Sequence, residues 1–192
     1  MTDPNEIQNV ITKFSFATKG GIAASNPYKQ NQDAYLTNPH ILGLRHCHFF
    51  AVCDGHGTNG REVSNYMKHN LPQKIESNLR INRAIKNHTD YPDYNTIKQS
   101  IHSAFEQTND GVFHQLGVDI RFSGSTCVSV MTFGTKLFVA NVGDSRAVLI
   151  SKNANTPEGF QVTALTRDHK PCDPDEGRRI IEAGGRIDSY RD

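Results

Sequence analysis

The chain has 192 residues, 36% of them hydrophobic and 21% charged, and a formal net charge of +1 at pH 7. That length suits one domain with a sizeable core, and the charge balance excludes a bulk electrostatic case for nucleic acid or an anionic membrane. No apolar stretch approaches the length of a membrane span, and the opening residues Met1 to Glu6 are polar, so a protein in solution inside the cell, cytoplasmic or nuclear, is expected.

In chain order, Lys13 to Thr18 alternates polar with larger or apolar residues, as a half-buried strand does. Asp33 to Thr37 is short and β-prone, and Cys47 to Cys53 is a compact apolar run of the kind found in a central strand. A first helix follows, with Val63, Met67 and Leu71 at i, i+4 and i+8 and then Pro72. Lys86 to Asp93 reads as a polar surface loop. In the second helix Ile97, Ile101, Ala104, Phe105, Thr108 and Val112 form one stripe, which is core rather than site. Four strands are expected over Ser125 to Phe133, Lys136 to Val142, Ala147 to Ser151 and Phe160 to Leu165. Phe133-Gly134-Thr135-Lys136 joins the first two as a tight hairpin, and Lys152 to Gly159 is a polar loop. Asp173-Pro174-Asp175-Glu176 opens a third helix with a capping residue, Pro at its first position and a capping box, and Gly184-Gly185 stops it. This order points to antiparallel sheets with helices packed outside. The cysteines Cys47, Cys53, Cys127 and Cys172 form no C-x-x-C pair, which points to free thiols in a reducing compartment.

The strongest chemical signal is Asp54-Gly55-His56-Gly57, directly after the apolar run. A carboxylate ending a buried strand needs a cation or donors to meet it, and a hard divalent ion with oxygen ligands would serve. Gly55 leaves its carbonyl free to turn toward the same ion. His56 has a reference pKa near neutrality, suited to proton transfer. The competing reading is a plain turn in which Asp54 caps the next helix. Asp33, in Asn31-Gln32-Asp33-Ala34, is a second strand-end carboxylate that could converge on a metal pair. Lys29 could offer its charge to a phosphate. Asp144, in Ala140 to Ala147, could cap a turn or face a metal. Ser123-Gly124-Ser125-Thr126 lacks the G-x-S-x-G elbow, which favours a structural turn over a nucleophile.

These segments, together with Leu165-Thr166-Arg167-Asp168-His169-Lys170-Pro171, Glu176, Arg179-Ile180 and Ala183-Gly184-Gly185-Arg186-Ile187, resemble the successive motifs of the type 2C protein phosphatases. The resemblance implies an α+β fold, a four-layer αββα sandwich of two antiparallel β-sheets flanked by helices. Residues 1–12 would be an N-terminal extension, and 13–192 the phosphatase domain, truncated before its C-terminal part. It further implies hydrolysis of phosphoserine and phosphothreonine in phosphorylated protein substrates by a metal-bound hydroxide, with Mg²⁺ or Mn²⁺ as cofactor. The Asp54 position would bridge two ions, the Gly55 carbonyl would bind one of them, and His56 would protonate the leaving oxygen. Asp33 matches another metal position, and Asp144 one associated with a further, weaker ion. A monomer is expected.

Two departures stand out. Gln32 occupies a position where many family members carry Glu, and Lys29 is the candidate where many bind phosphate with arginine, although lysine lacks the bidentate fork. The family domain also runs on to further aspartates in an Asp-Gly and an Asp-Asn block, so these 192 residues alone are expected to be nearly inactive. Two rival readings remain: a catalytically inactive relative acting as a binding or regulatory module, and a zinc module built from His46, Cys47, His48, Cys53 and His56.

Overall fold

Alternation along one long strand decides the architecture. The computed structural model describes residues 7–188 apart from Ala23, Ser25 and 83–92. Its elements are β1 (Asp33–Asn38), β2 (Cys47–Gly57), α1 (Gly60–Ile81), α2 (Tyr94–Gln115), β3 (Ser123–Ser125), β4 (Cys127–Phe133), β5 (Lys136–Val142), β6 (Val148–Lys152), β7 (Phe160–Ala164) and α3 (Pro174–Glu182). The main sheet is antiparallel with order β1-β2-β4-β5, β3 pairs with the far end of β2, and β6 and β7 form a second, two-stranded antiparallel sheet.

Side chains at every second position of β2 face the helices: Cys47, Phe49, Ala51 and Cys53 are all buried. The β4 residues paired with Cys47, Phe49 and Ala51, namely Phe133, Met131 and Ser129, lie on the same face and are buried too. Against this layer α1 sets Leu71, Ile75 and Leu79, and α2 sets Ile97, Ile101 and Ala104. α1 runs straight through Pro72, because its buried stripe continues beyond the proline and outweighs the one main-chain hydrogen bond lost there. α2 starts at Asp93, whose carboxylate accepts from the Thr96 amide at 2.8 Å.

The opposite face of the sheet carries the residues between: Tyr35 on β1 and His48, Phe50, Val52 and Asp54 on β2. Here the expected strand over Lys13 to Thr18 is absent. Phe14 packs on Phe50 with ring centroids 5.4 Å apart, and Phe16 stacks on Tyr35 at 4.3 Å. The chain therefore crosses from β2 to β1 over the face of the sheet. Its alternation seats two rings, but its backbone follows no edge and joins no ladder.

Other differences are local. β2 runs on to Gly57 instead of ending at Cys53, because Gly55, His56 and Gly57 pair with Ser125, Gly124 and Ser123. The expected single strand over Ser125 to Phe133 is split at Thr126. α3 begins where expected, but Asp173 makes no side-chain cap, and Glu176 is drawn to Arg179 at 2.6 Å in place of a capping box. The glycine stop forms, with Gly185 N donating to Ile180 O at 2.9 Å. The hairpin between β4 and β5 forms as expected. Most of the polar loop from Lys86 lies outside the described residues. All four cysteines are free thiols, three buried and Cys172 exposed. Among the described residues no helix is long and apolar enough to cross a membrane.

Phe49 is fully buried between β2 and the helices. Its replacement by alanine is expected to lower unfolding free energy by about 3–5 kcal/mol, measured by urea denaturation.

Candidate metal centre

The antiparallel register of β1 and β2 sets Asp33 directly opposite Asp54. Directly opposed residues share a face, so the two carboxyl groups lie beside each other across the strand pair. Both remain in contact with solvent. Partial burial, the like charge of Asp33, the hydrogen bond to Asp33 and the charge of Asp144 hold the Asp54 carboxyl above the usual carboxylate range, while His56 pulls the other way. Thus Asp33, Asp144 and His56 all bear on Asp54 in the fold.

Asp33, Asp54 and His56 are positioned by backbone pairing. Thr126 N donates to Asp54 O at 2.9 Å, and Asp54 N donates to the Thr126 hydroxyl at 3.0 Å. The His56 ring lies over Gly124, where a β-carbon would come within 2.8 Å of its Nε2. Gly55 is needed for a reason beyond a free carbonyl. A β-carbon there would collide with the Gly60 carbonyl oxygen and stand 2.6 Å from the Gln32 carbonyl oxygen. The start of α1 can approach β2 only because this position is bare. α1 starts behind Asn59, so the reading of Asp54 as a helix cap does not hold.

Gln32 has a structural task that the sequence did not disclose. Its side-chain amide donates to the Gly57 carbonyl at 2.7 Å, and its own carbonyl accepts from the Ser64 hydroxyl at 2.6 Å. The amide thus ties the residue before Asp33 to the far end of the Asp-Gly-His-Gly segment. A glutamate would have no donor for that carbonyl at neutral pH. Lys29 is exposed, and among the described residues no ion pair ties it to Asp33 or Asp54.

The later motif clamps the Asp144 loop. Arg146 forms a bidentate pair with Asp168 at 2.9 and 2.8 Å, which holds the Asp168 carboxyl below its ordinary range. His169 N donates to Gly143 O at 3.0 Å. The Thr-Arg-Asp-His-Lys-Pro run therefore serves to hold the turn that carries Asp144.

The zinc reading fails on geometry. Cys47 and Cys53 point into the helix-covered core, whereas His48 and His56 lie on the other face of β2. Among the described residues no three His, Cys, Asp or Glu side chains close into a ready cage for any metal. What is present is a pair of opposed carboxylates with a third acid in their field. That arrangement fits one side of a hard divalent-cation site, because a cation would offset both the desolvation and the like charge that raise Asp54.

The mixed sheet-and-helix scaffold thus carries paired strand carboxylates close to a histidine. The Protein phosphatase 2C family model matches residues 20–191, and the chain belongs to that family. It is 32% identical over 174 residues to the probable protein phosphatase 2C 35 of Arabidopsis thaliana, covering 91% of this chain and 45% of that protein. With protein phosphatase 1B of Mus musculus it shares 38% identity over 152 residues, covering 78% of this chain and 36% of the relative. The crystal structure of serine-threonine phosphatase 2C from Toxoplasma gondii superposes with a TM-score of 0.64 at 26% identity, over 81% of this chain and 51% of that one. The chain thus spans less than half the length of these curated relatives. The family's enzymes are serine/threonine phosphatases that depend on divalent metal, generally Mg²⁺ or Mn²⁺, and the two antiparallel sheets with flanking helices match its fold.

Two outcomes follow. The Asp54 carboxyl is raised in the fold, so its ionised form opposes folding above that raised value, and the penalty disappears in acid below the ordinary carboxylate range. In metal-free buffer Asp54→Asn should therefore raise the unfolding midpoint at pH 7 and lose that advantage near pH 3, as read by thermal melts (~pH 3 lying below the usual carboxylate values). Gln32→Glu should destabilise the chain by about 1–3 kcal/mol in denaturant titration, since the Gly57 carbonyl loses its donor and faces a charge.

Proposed function

We propose that the domain to which these residues belong removes phosphate from phosphoserine and phosphothreonine in proteins, with Mg²⁺ or Mn²⁺ seated at Asp33 and Asp54. The observation that supports this reading is the strand register that brings those two carboxylates face to face, with Asp144 and His56 in their field. Bound cations would supply positive charge to the phosphoryl oxygens and lower the pKa of a coordinated water.

The protein groups divide the remaining work. Asp33 and Asp54 hold the ions at the mouth of the β1–β2 pair, and Asp144 adds negative charge from the neighbouring turn. The His56 ring, resting over Gly124 and partly exposed, donates its proton to the departing seryl or threonyl oxygen. Lys29, on the loop that leads into β1, offers a point charge to the phosphate as it arrives. The three buried free thiols and the balanced charge suit a monomeric protein working inside the cell.

The test has two arms. Calorimetric titration of the chain with Mn²⁺ should show uptake that Asp33→Asn and Asp54→Asn each weaken by roughly 10-fold or more. In a protein carrying the whole domain, His56→Ala should lower kcat on a phosphothreonine peptide by about 10²–10⁴-fold. Mn²⁺ uptake without any turnover by the whole domain would favour the non-catalytic binding module instead. No uptake at all would remove the metal reading.

A further inference from the structure

Where β2 leaves β4 and joins β3, the ladder departs from its regular form. In an antiparallel pair, opposed residues that exchange hydrogen bonds do so through both amides and both carbonyls. Asp54 and Thr126 exchange only one such bond, from Thr126 N to Asp54 O at 2.9 Å. The Asp54 amide turns instead to the Thr126 side-chain hydroxyl at 3.0 Å, and the Thr126 carbonyl accepts from the Ser125 hydroxyl at 2.8 Å. The same Thr126 hydroxyl shares a hydrogen bond with the Ser145 hydroxyl at 2.6 Å. One oxygen therefore joins the backbone of Asp54 to the residue next to Asp144.

The packing round this oxygen is equally specific. Gly143 has φ +96°, and a β-carbon on it would lie 2.7 Å from the Thr126 methyl and 2.8 Å from its Cβ. The turn that carries Asp144 is thus pressed flat against Thr126 from one side. His169 N holds the same turn through Gly143 O.

We propose that Thr126 is a positioning residue: its hydroxyl fixes Asp54 and Asp144 relative to each other, so that the cation seat forms as one unit rather than as two independently moving acids. The inference rests on the metal reading given above. Thr126 reaches no phosphate in this scheme and acts only through the two acids. Groups that orient metal ligands from behind typically change affinity by 10- to 100-fold when lost, which sets the size of effect expected at roughly that range.

Two substitutions separate the oxygen from the methyl. Thr126→Val keeps the shape and removes the hydroxyl, whereas Thr126→Ser keeps the hydroxyl and removes the methyl. Amide hydrogen exchange and Mn²⁺ calorimetry are read on the same samples. Thr126→Val should speed exchange at Asp54 and through Gly143 to Arg146, and should weaken Mn²⁺ binding by about 10- to 100-fold. Thr126→Ser should match the parent chain in both. Ser145→Ala should speed exchange on the Asp144 turn while sparing the Asp54 amide, and should weaken Mn²⁺ binding by a smaller factor.

Equal Mn²⁺ affinity in Thr126→Val and the parent overturns the proposal while leaving the metal reading intact. Equal losses in Thr126→Ser and Thr126→Val overturn it as well, since packing would then be the cause. A parent chain that binds no Mn²⁺ fails the metal reading, and the positioning role falls with it. Should Thr126→Val not fold, the contrast between Ser145→Ala and Thr126→Ser decides the matter in the same way.

Discussion

Two acidic side chains facing each other across neighbouring strands repel, and this molecule spends strand pairing to keep them there. Asp33 and Asp54 are opposed by the register of β1 and β2, which is itself set by which residues must be buried. Ala34 and Leu36 on β1, with Ala51 and Cys53 on β2, point toward the helices and lock the pairing. A slip of one residue would expose that apolar set and turn the acids away from each other. The burial on one face thus enforces the electrostatic conflict on the other, and that conflict adds to desolvation in raising the Asp54 carboxyl.

Around that conflict the chain places three ties. Gln32 ties the entry of β1 to Gly57, Thr126 ties Asp54 to the Ser145 turn, and Asp168 with His169 ties that turn to the segment before α3. Their side chains or backbone groups replace water at polar positions that would otherwise be free to move, and the acids gain a fixed geometry from it. The ties are particular to this chain's fold, within the family to which it belongs.

Much of this was legible from residue order. Strands with a buried face announce themselves by alternation or by a short apolar run, so β1, β5 and the start of β2 were found nearly to the residue, as was the stripe of α2. The acids were legible because a carboxylate beside an apolar run is chemically costly and therefore conspicuous. What escaped was set by contacts between segments far apart in sequence. The alternation at Lys13 to Thr18 was real, but whether a segment pairs along an edge or lies across a face depends on its neighbours. The β2 extension through two glycines and the break at Thr126 depend on β3 arriving from beyond α2. Gln32 stood out only as a departure from the family's Glu, because its partner, Gly57, lies 25 residues away. The one available hint was the donor that glutamine has and glutamate lacks.

The same alternation gives β2 a wet side and a dry side, with consequences for its sulfur chemistry. Cys53 is the residue before Asp54 yet points the opposite way, buried with Cys127 beneath the helices. The contact with Cys53 and burial push the Cys127 thiol up, and burial pushes Cys47 up to about 12. A thiol held protonated is a poor nucleophile toward peroxide or an alkylating reagent. Cys172 stands in solvent. Labelling at Cys172 therefore reports simple access, whereas labelling at the other three reports how often the sheet and helices part, which makes the chain its own clock for transient opening of the core.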